Sequence, residues 1–329
     1  MRFSALFLLA SVAIASPTKL RQRRNELASR QSTESCSIGY CTQNGGTTGS
    51  SGGDTVIVSD LDSLTEAAES KGPWTIIVSG SISGSGRIHV AADRTIYAEA
   101  GSFHNVILRN LKIGQVDADN GDAIGIEESL NVWIDHCDLS GDLSAGKDDL
   151  DGLLDITHAA DWVTVSNTYL HDHWKGSLIG HSDSNEDEDL GALHITYANN
   201  HWYNINSRAP SIRFATVHLI KNYWDSLLNT GVNCRMDAQV LIQSSVFSNS
   251  PDEAIFFADS DHTGYAVGDD VDLGGSSNLV LEGSLTPDSL PYDPIEALGS
   301  AQIAGVILGT AGQKLGTSGS TVACLGQVH

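Results

Sequence analysis

Positive charge is scarce in this chain. Its 329 residues carry 18 Lys and Arg against 41 Asp and Glu, a formal net charge of −23. So few cations cannot neutralise a run of phosphates, which excludes nucleic acid as a partner. Unaided attraction to an acidic polymer is excluded as well. An anionic substrate would need a cation between itself and the protein. Proline is scarce too, at 7 positions, while glycine reaches 33 and hydrophobic residues 40%. That is the composition of a turn-rich globular chain and not of a disordered one. Beyond the N-terminal segment no apolar run is long enough for a membrane helix, so no membrane association is expected. No Asn-x-Ser/Thr triplet occurs, and no N-glycan is expected.

The first residues read as targeting sequence. Arg2 precedes an apolar run over 5–14 that closes on Ala13-Ile14-Ala15, a small-x-small cleavage pattern. Residues 1–15 are therefore expected to be a signal peptide. Residues 16–30 are basic and contain Arg23-Arg24, which reads as a pro-peptide cut at Arg24 or Arg30; a disordered mature tail is the alternative. The remainder, 31–329, is expected to form one secreted, extracellular, monomeric domain. Its five cysteines are an odd number for such a chain. Cys36 and Cys41 are near enough for a local bridge, and Cys137 and Cys234 lie in strand-like segments as expected buried thiols, though one could pair elsewhere.

A loose repeat runs from about 105 to 250. Val106-Ile107-Leu108-Arg109-Asn110, Val132-Trp133-Ile134-Asp135-His136, Val163-Thr164-Val165-Ser166-Asn167 and Ile195-Thr196-Tyr197-Ala198-Asn199-Asn200 align with one another. Val217-His218-Leu219-Ile220-Lys221-Asn222 and Val240-Leu241-Ile242-Gln243-Ser244-Ser245 continue the series. Each is a short β-branched run ending on Asn, His or Ser. Four are followed by an aromatic residue: Tyr169, Trp202, Trp224 and Phe247. Short strands at solenoid spacing, with no helical period between them, predict an all-β, right-handed parallel β-helix. A β-sandwich or jelly roll is the competing architecture. Stacked coils would put Asn110, Asn167, Asn200 and Asn222 in one internal column. Unequal spacing would place loops of different length on one side, forming a cleft. A short helix is expected over 61–70, capped by Asp60 or Asp62, and the tail beyond 285 should wrap loosely outside.

Few residues stand out chemically. Asn206-Ser207-Arg208-Ala209-Pro210-Ser211-Ile212-Arg213 sets two arginines around a proline in an acidic protein. A guanidinium forks onto both oxygens of a carboxylate, so the pair reads as a carboxylate clamp, with ordinary surface arginines as the plain alternative. Asp122, Asp151 and Asp155 could supply the hard oxygens that calcium prefers, although a turn or a strand cap explains each alone. Asp148, Asp149 and the run 186–189 read as solvated loop charge. Lys175 follows His171-Asp172-His173-Trp174 and could hold a second carboxylate or be a solvated lysine. His171 and His173 would share one strand face, but with no third ligand zinc is not expected. His136 reads as a satisfied member of the internal stack.

Taken together, Asn131-Val132-Trp133-Ile134-Asp135-His136, Asp151-Gly152-Leu153-Leu154-Asp155-Ile156-Thr157-His158, His171-Asp172-His173-Trp174-Lys175 and the 206–213 stretch resemble the extracellular pectate lyases, especially the fungal type. The likeness covers about 37–312. It implies a right-handed parallel β-helix that cleaves de-esterified polygalacturonate by Ca²⁺-dependent β-elimination. By matching position, Asp122, Asp151 and Asp155 would be calcium ligands. Arg208 would be the catalytic base, and Lys175 and Arg213 would bind substrate carboxylates. Asn120 stands where some bacterial relatives carry a further Asp, implying weaker metal binding without substrate. Arginine is a reluctant base, which implies an alkaline optimum. The segment between Tyr97 and Asn105 is shorter than the family's, and the end from about 315 is atypical. The first implies a missing or frayed early coil. The competing functions are a metal-independent pectin lyase, a galacturonan hydrolase, and a non-catalytic or inactive β-helix that binds polysaccharide.

Overall fold

The computed structural model describes residues 34–84, 86, 88–96, 104–315 and 320–323. The expected signal peptide, the pro-peptide, Cys324 and most of the shortened segment after Tyr97 lie outside the described residues.

The chain winds as a right-handed parallel β-helix with three faces. One coil shows the plan. Strand Leu130–Asp135 lies on the first face, Asp138–Ser140 on the second and Leu154–Thr157 on the third; the next coil then opens with Asp161–Ser166. Every strand pairs in parallel with its equivalent on the neighbouring coils. The repeated valines fall in register: Val106, Val132, Val163, Ile195, Val217 and Val240 are successive partners. The first face extends upstream through Asp54–Val58, Trp74–Val78 and Arg94–Ile96. A single interior follows from this stacking. Ile76, Leu108, Ile134, Val165, Leu219 and Ile242 are all fully or almost fully buried, each contributing about 1.5–3 kcal/mol through lost apolar hydration.

The corner between the first and second faces differs from expectation by one residue. Asn110, His136, Asn167, Asn199, Lys221 and Ser244 are one column, all left-handed, with φ between 41° and 60°. Asparagine tolerates that region best among residues with a β-carbon. The following residues, Cys137, Thr168, Asn200, Asn222 and Ser245, form a second, fully buried column. The expected single asparagine ladder is therefore split: Asn110 and Asn167 turn the backbone, while Asn200 and Asn222 point inward. Asn200 accepts from the Thr168 amide at 2.8 Å and donates to the Val165 carbonyl at 3.0 Å; Asn222 donates to the Tyr197 carbonyl at 2.8 Å. His136 belongs to the turning column, with Nδ1 2.7 Å from Asp135, not to the internal stack. The same offset separates the aromatics. Trp202, Trp224 and Phe247 stack inside, whereas Tyr169 lies outside against His171 and His201.

The helix forms as Leu61–Glu69, with Asp60 accepting from the Ser63 amide at 2.9 Å. Buried Arg94 closes its other end, donating to the Ala68 carbonyl. The tail is not loose. Helix Ser300–Thr310 packs Ile303 and Ile307 against Tyr223 and Val246, and Tyr292 hydrogen-bonds His218 at 2.7 Å. Cys36 and Cys41 form a disulfide, and Cys137 and Cys234 are buried thiols. Among the described residues, no helix is long and apolar enough to cross a membrane.

Candidate active site

The corner between the second and third faces is irregular, and its irregularity makes the cleft. The connection there is as short as Gly176 in one coil and as long as 141–153 in the preceding one. The long loop stands up as a wall, fastened where Trp174 Nε1 donates to the Ala145 carbonyl at 2.9 Å. Trp174 therefore serves the wall and is not a free platform. The short connections draw the backbone inward. Gly176 is required there, since a β-carbon would lie 2.5 Å from the Arg208 carbonyl oxygen.

The structure brings all six singled-out residues to this corner or its immediate edge. Asp122 follows the turn Ala118–Asn120, Asp151 ends the long loop, and Asp155 lies on strand Leu154–Thr157. Asp122 and Asp155 face each other across Gly152, where a β-carbon would meet an oxygen of each at 2.7 Å. Asp122 accepts from the Gly152 amide at 2.8 Å, and Asp155 from the Leu178 amide at 3.0 Å. Burial, with Asp122 alongside, pushes the Asp155 carboxyl well above the usual carboxylate range, while Arg208 at 3.7 Å pulls it partly back. Two carboxylates brought this close repel each other, and a cation between them would relieve that cost. Asp151 is turned away, with its oxygen 3.2 Å from Lys175 Nζ. Among the described residues, no three acidic, His or Cys groups converge into a ready-made cage. Asp122 and Asp155 nevertheless fit a hard, oxygen-seeking cation such as Ca²⁺. Asp151 can complete the set by releasing Lys175, and positions would remain open for substrate and water.

The cations lie on the next coils. Lys175 is not solvated: its side chain is 12% exposed and sits 3.2 Å from both Asp148 and Asp151. Arg208 has left-handed backbone, φ 58°, and precedes a cis Ala209–Pro210 peptide. Its position is held from three sides. Ser177 N donates to the Arg208 carbonyl at 2.7 Å, Ser207 Oγ to the Trp174 carbonyl at 2.9 Å, and Trp224 Nε1 to the Ala209 carbonyl at 2.9 Å. Arg213 ends the strand Ser211–Arg213, directly beside Arg235 of the following coil. Arg208, Arg213, Arg235 and Lys147 line one cavity of about 430 Å³.

Several sequence expectations change here. His171 and His173 do not share a face, because Asp172 between them is left-handed at φ 54° and breaks the alternation. His171 stays outside, while His173 is buried and accepts from the Lys175 amide at 2.9 Å. Burial, with Lys175 adding to it, pushes His173 down to about 4, so it remains neutral. Asp148 is exposed as expected but serves as a counter-charge to Lys175. Asp189, expected in solvent, is fully buried and accepts from the Ala159 amide at 2.8 Å. Arg235 was not anticipated at all. Its signal was present, since it follows Arg213 by one coil of the repeat. Burial, reinforced by Arg213, lowers it to about 10.

Comparison with known proteins gives this cleft a context. The pectate lyase family model matches residues 92–279. A probable pectate lyase B of Aspergillus flavus is 77% identical, covering 96% of this chain and all of the relative. Pectate lyase B of Colletotrichum gloeosporioides is 50% identical over 92% of this chain and 93% of its own. Among solved structures, a pectate lyase from Bacillus sp. N165 in complex with trigalacturonate superposes with a TM-score of 0.74 at 28% identity, covering 84% of this chain and 98% of that one. With a family match over more than half its length and relatives of this similarity, the chain belongs to the pectate lyase family.

Proposed function

We propose that the chain is a secreted lyase that cleaves de-esterified (1→4)-α-D-galacturonan by Ca²⁺-dependent β-elimination, releasing 4,5-unsaturated oligogalacturonides. One observation carries this reading. Buried carboxylates on Asp122 and Asp155, on adjacent coils, are followed by Lys175 on the next coil and Arg208 on the one after it, in a cleft that continues into Arg213 and Arg235. Acid groups that need a cation stand next to cations that can receive acid groups. Trigalacturonate in the similar Bacillus enzyme supports a uronate polymer as the substrate class.

The chemistry follows from charge. The galacturonate C5 proton is a poor acid, because removing it adds negative charge beside an existing carboxylate. Asp122, Asp151 and Asp155 would hold calcium, which when bound would supply Lewis acidity to the substrate. Lys175 exchanges Asp148 and Asp151 for a substrate carboxylate, and Arg213 binds another, so both bring charge to where the transition state develops it. Arg208 takes the C5 proton. The C5–H electrons form the C4=C5 double bond, the C4–O glycosidic bond breaks, and the departing oxygen takes a proton from water. A guanidine must be neutral to act as a base, so turnover rises toward alkaline pH. The test is the purified mature protein on polygalacturonate, followed by ultraviolet absorbance of the unsaturated product. Absorbance should grow with Ca²⁺ and stop with a chelator. Equal rates in chelated and calcium-loaded protein would overturn the reading.

A further inference from the structure

We infer that Asp183 is a positioning residue that aims the Arg213 guanidinium into the cleft, an inference that rests on Arg213 being a ligand for substrate carboxylates. Asp183 lies in the loop that follows the third-face strand Ser177–Ile179. Its Oδ1 accepts from Arg213 Nε and, at 2.5 Å, from Ser260 Oγ; its Oδ2 accepts from the Asp261 amide at 3.0 Å. The same loop takes a second donor of that arginine, with Arg213 Nη1 giving to the Gly180 carbonyl at 3.1 Å. The guanidinium is thus gripped along its Nε edge and at one terminal nitrogen. Arg213 is also among the residues that line the cavity.

Charge makes the grip necessary. Arg213 and Arg235 are register partners on adjacent coils, so two cations lie side by side. Unrestrained, they would swing apart, and neither would hold a fixed geometry toward a uronate. Asp259 is only a weak counter-charge, 4.0 Å from Arg235 with its side chain 87% exposed. Asp183 is the anion that both neutralises and orients, and a carboxylate on the Nε edge leaves a planar fork outward. Burial would raise its pKa, but Ser260, Arg213 and the Asp261 amide outweigh that and hold it near 2, so the grip persists at any working pH. The contacts to Ser260 and Asp261 also tie this loop to one 77 residues away in sequence.

Steady-state kinetics on polygalacturonate at saturating Ca²⁺ tests the assignment, using full-length Asp183→Asn, Arg213→Ala and the double variant. Asp183→Asn should raise KM about tenfold with kcat within about twofold, because binding and not proton transfer is affected. Arg213→Ala should raise KM at least as much, and adding Asp183→Asn to it should raise KM no further. Should Asp183→Asn not fold, Asp183→Glu replaces it, since the charge persists but is displaced by a methylene; the same KM rise and the same silence with Arg213→Ala are expected. The proposal is overturned if Arg213→Ala raises KM while the Asp183 variant does not, or if the two effects are additive. An unchanged KM in Arg213→Ala would instead sink the role of Arg213 itself.

Discussion

Two of the three corners of each coil use the same backbone for opposite ends. Between the first and second faces the turn is nearly invariant, a left-handed residue followed by a buried polar or thiol one, as in Asn199-Asn200 and Lys221-Asn222. Its side chains satisfy backbone groups. Between the second and third faces the turn varies from Gly176 to the loop 141–153, and its side chains confront one another. Asp155 is pushed up by burial and Asp122, and Arg235 is pushed down by burial and Arg213. The first corner is at a local optimum. The second keeps like charges adjacent, a cost that a bound cation and an anionic polymer would relieve. Like charges held adjacent along one side of an otherwise regular solenoid mark a place where ligands can act.

Three measurements can break or sharpen that contrast. The largest effect is expected in the cleft. Arg208→Ala should lower kcat by about 10²–10⁴-fold, the usual worth of a positioned base, while calorimetry shows Ca²⁺ binding nearly unchanged. An Arg208→Lys protein with normal turnover would contradict the assignment. At the regular side, Ile134→Ala removes a fully buried side chain from the interior. It should cost about 2–5 kcal/mol in denaturant unfolding yet leave KM and kcat unchanged in conditions where the chain remains folded. A changed KM would mean that core and cleft are mechanically coupled. The smallest effect concerns pH. A carboxyl whose folded pKa lies above its unfolded one stabilises the folded chain at low pH and loses that contribution as pH rises through the folded value. Asp155 is raised, so chelated protein should lose stability from about pH 4 upward through the folded pKa of Asp155. Ca²⁺ should protect increasingly over the same window. Asp155→Asn should flatten both slopes in thermal melts, and a wild-type slope in that variant would place the destabilising charge elsewhere.

Much of this was readable from the chain. The aligned valines predicted the coil register correctly, because a period-two strand buried on one side tolerates no slip. Asp60, the disulfide and the buried thiols were readable because their causes are local. Reading failed by one residue at the first corner, where Asn at the turn and Asn beneath it look alike until the backbone shows which is left-handed. It failed at His171 and His173 for the same reason, since Asp172 breaks the alternation without any distinctive residue type. Asp183 escaped notice because an aspartate in an acidic loop carries no local signature, and Arg235 because its signal lies in the spacing of one coil after Arg213 and not in its neighbours.

The amino-acid order alone determined the solenoid and its register, since these follow from short-range alternation and a repeat, while the resemblance to pectate lyases pointed to the residues of the cleft. Which charges face each other was decided only in three dimensions. Asp122 meets Asp155 across Gly152, Asp148 meets Lys175, and Asp183 meets Arg213 and Ser260 because coils stack and loops of unequal length fold over them. Electrostatic energy depends on distance through space and on burial, and neither is written in the spacing along the chain.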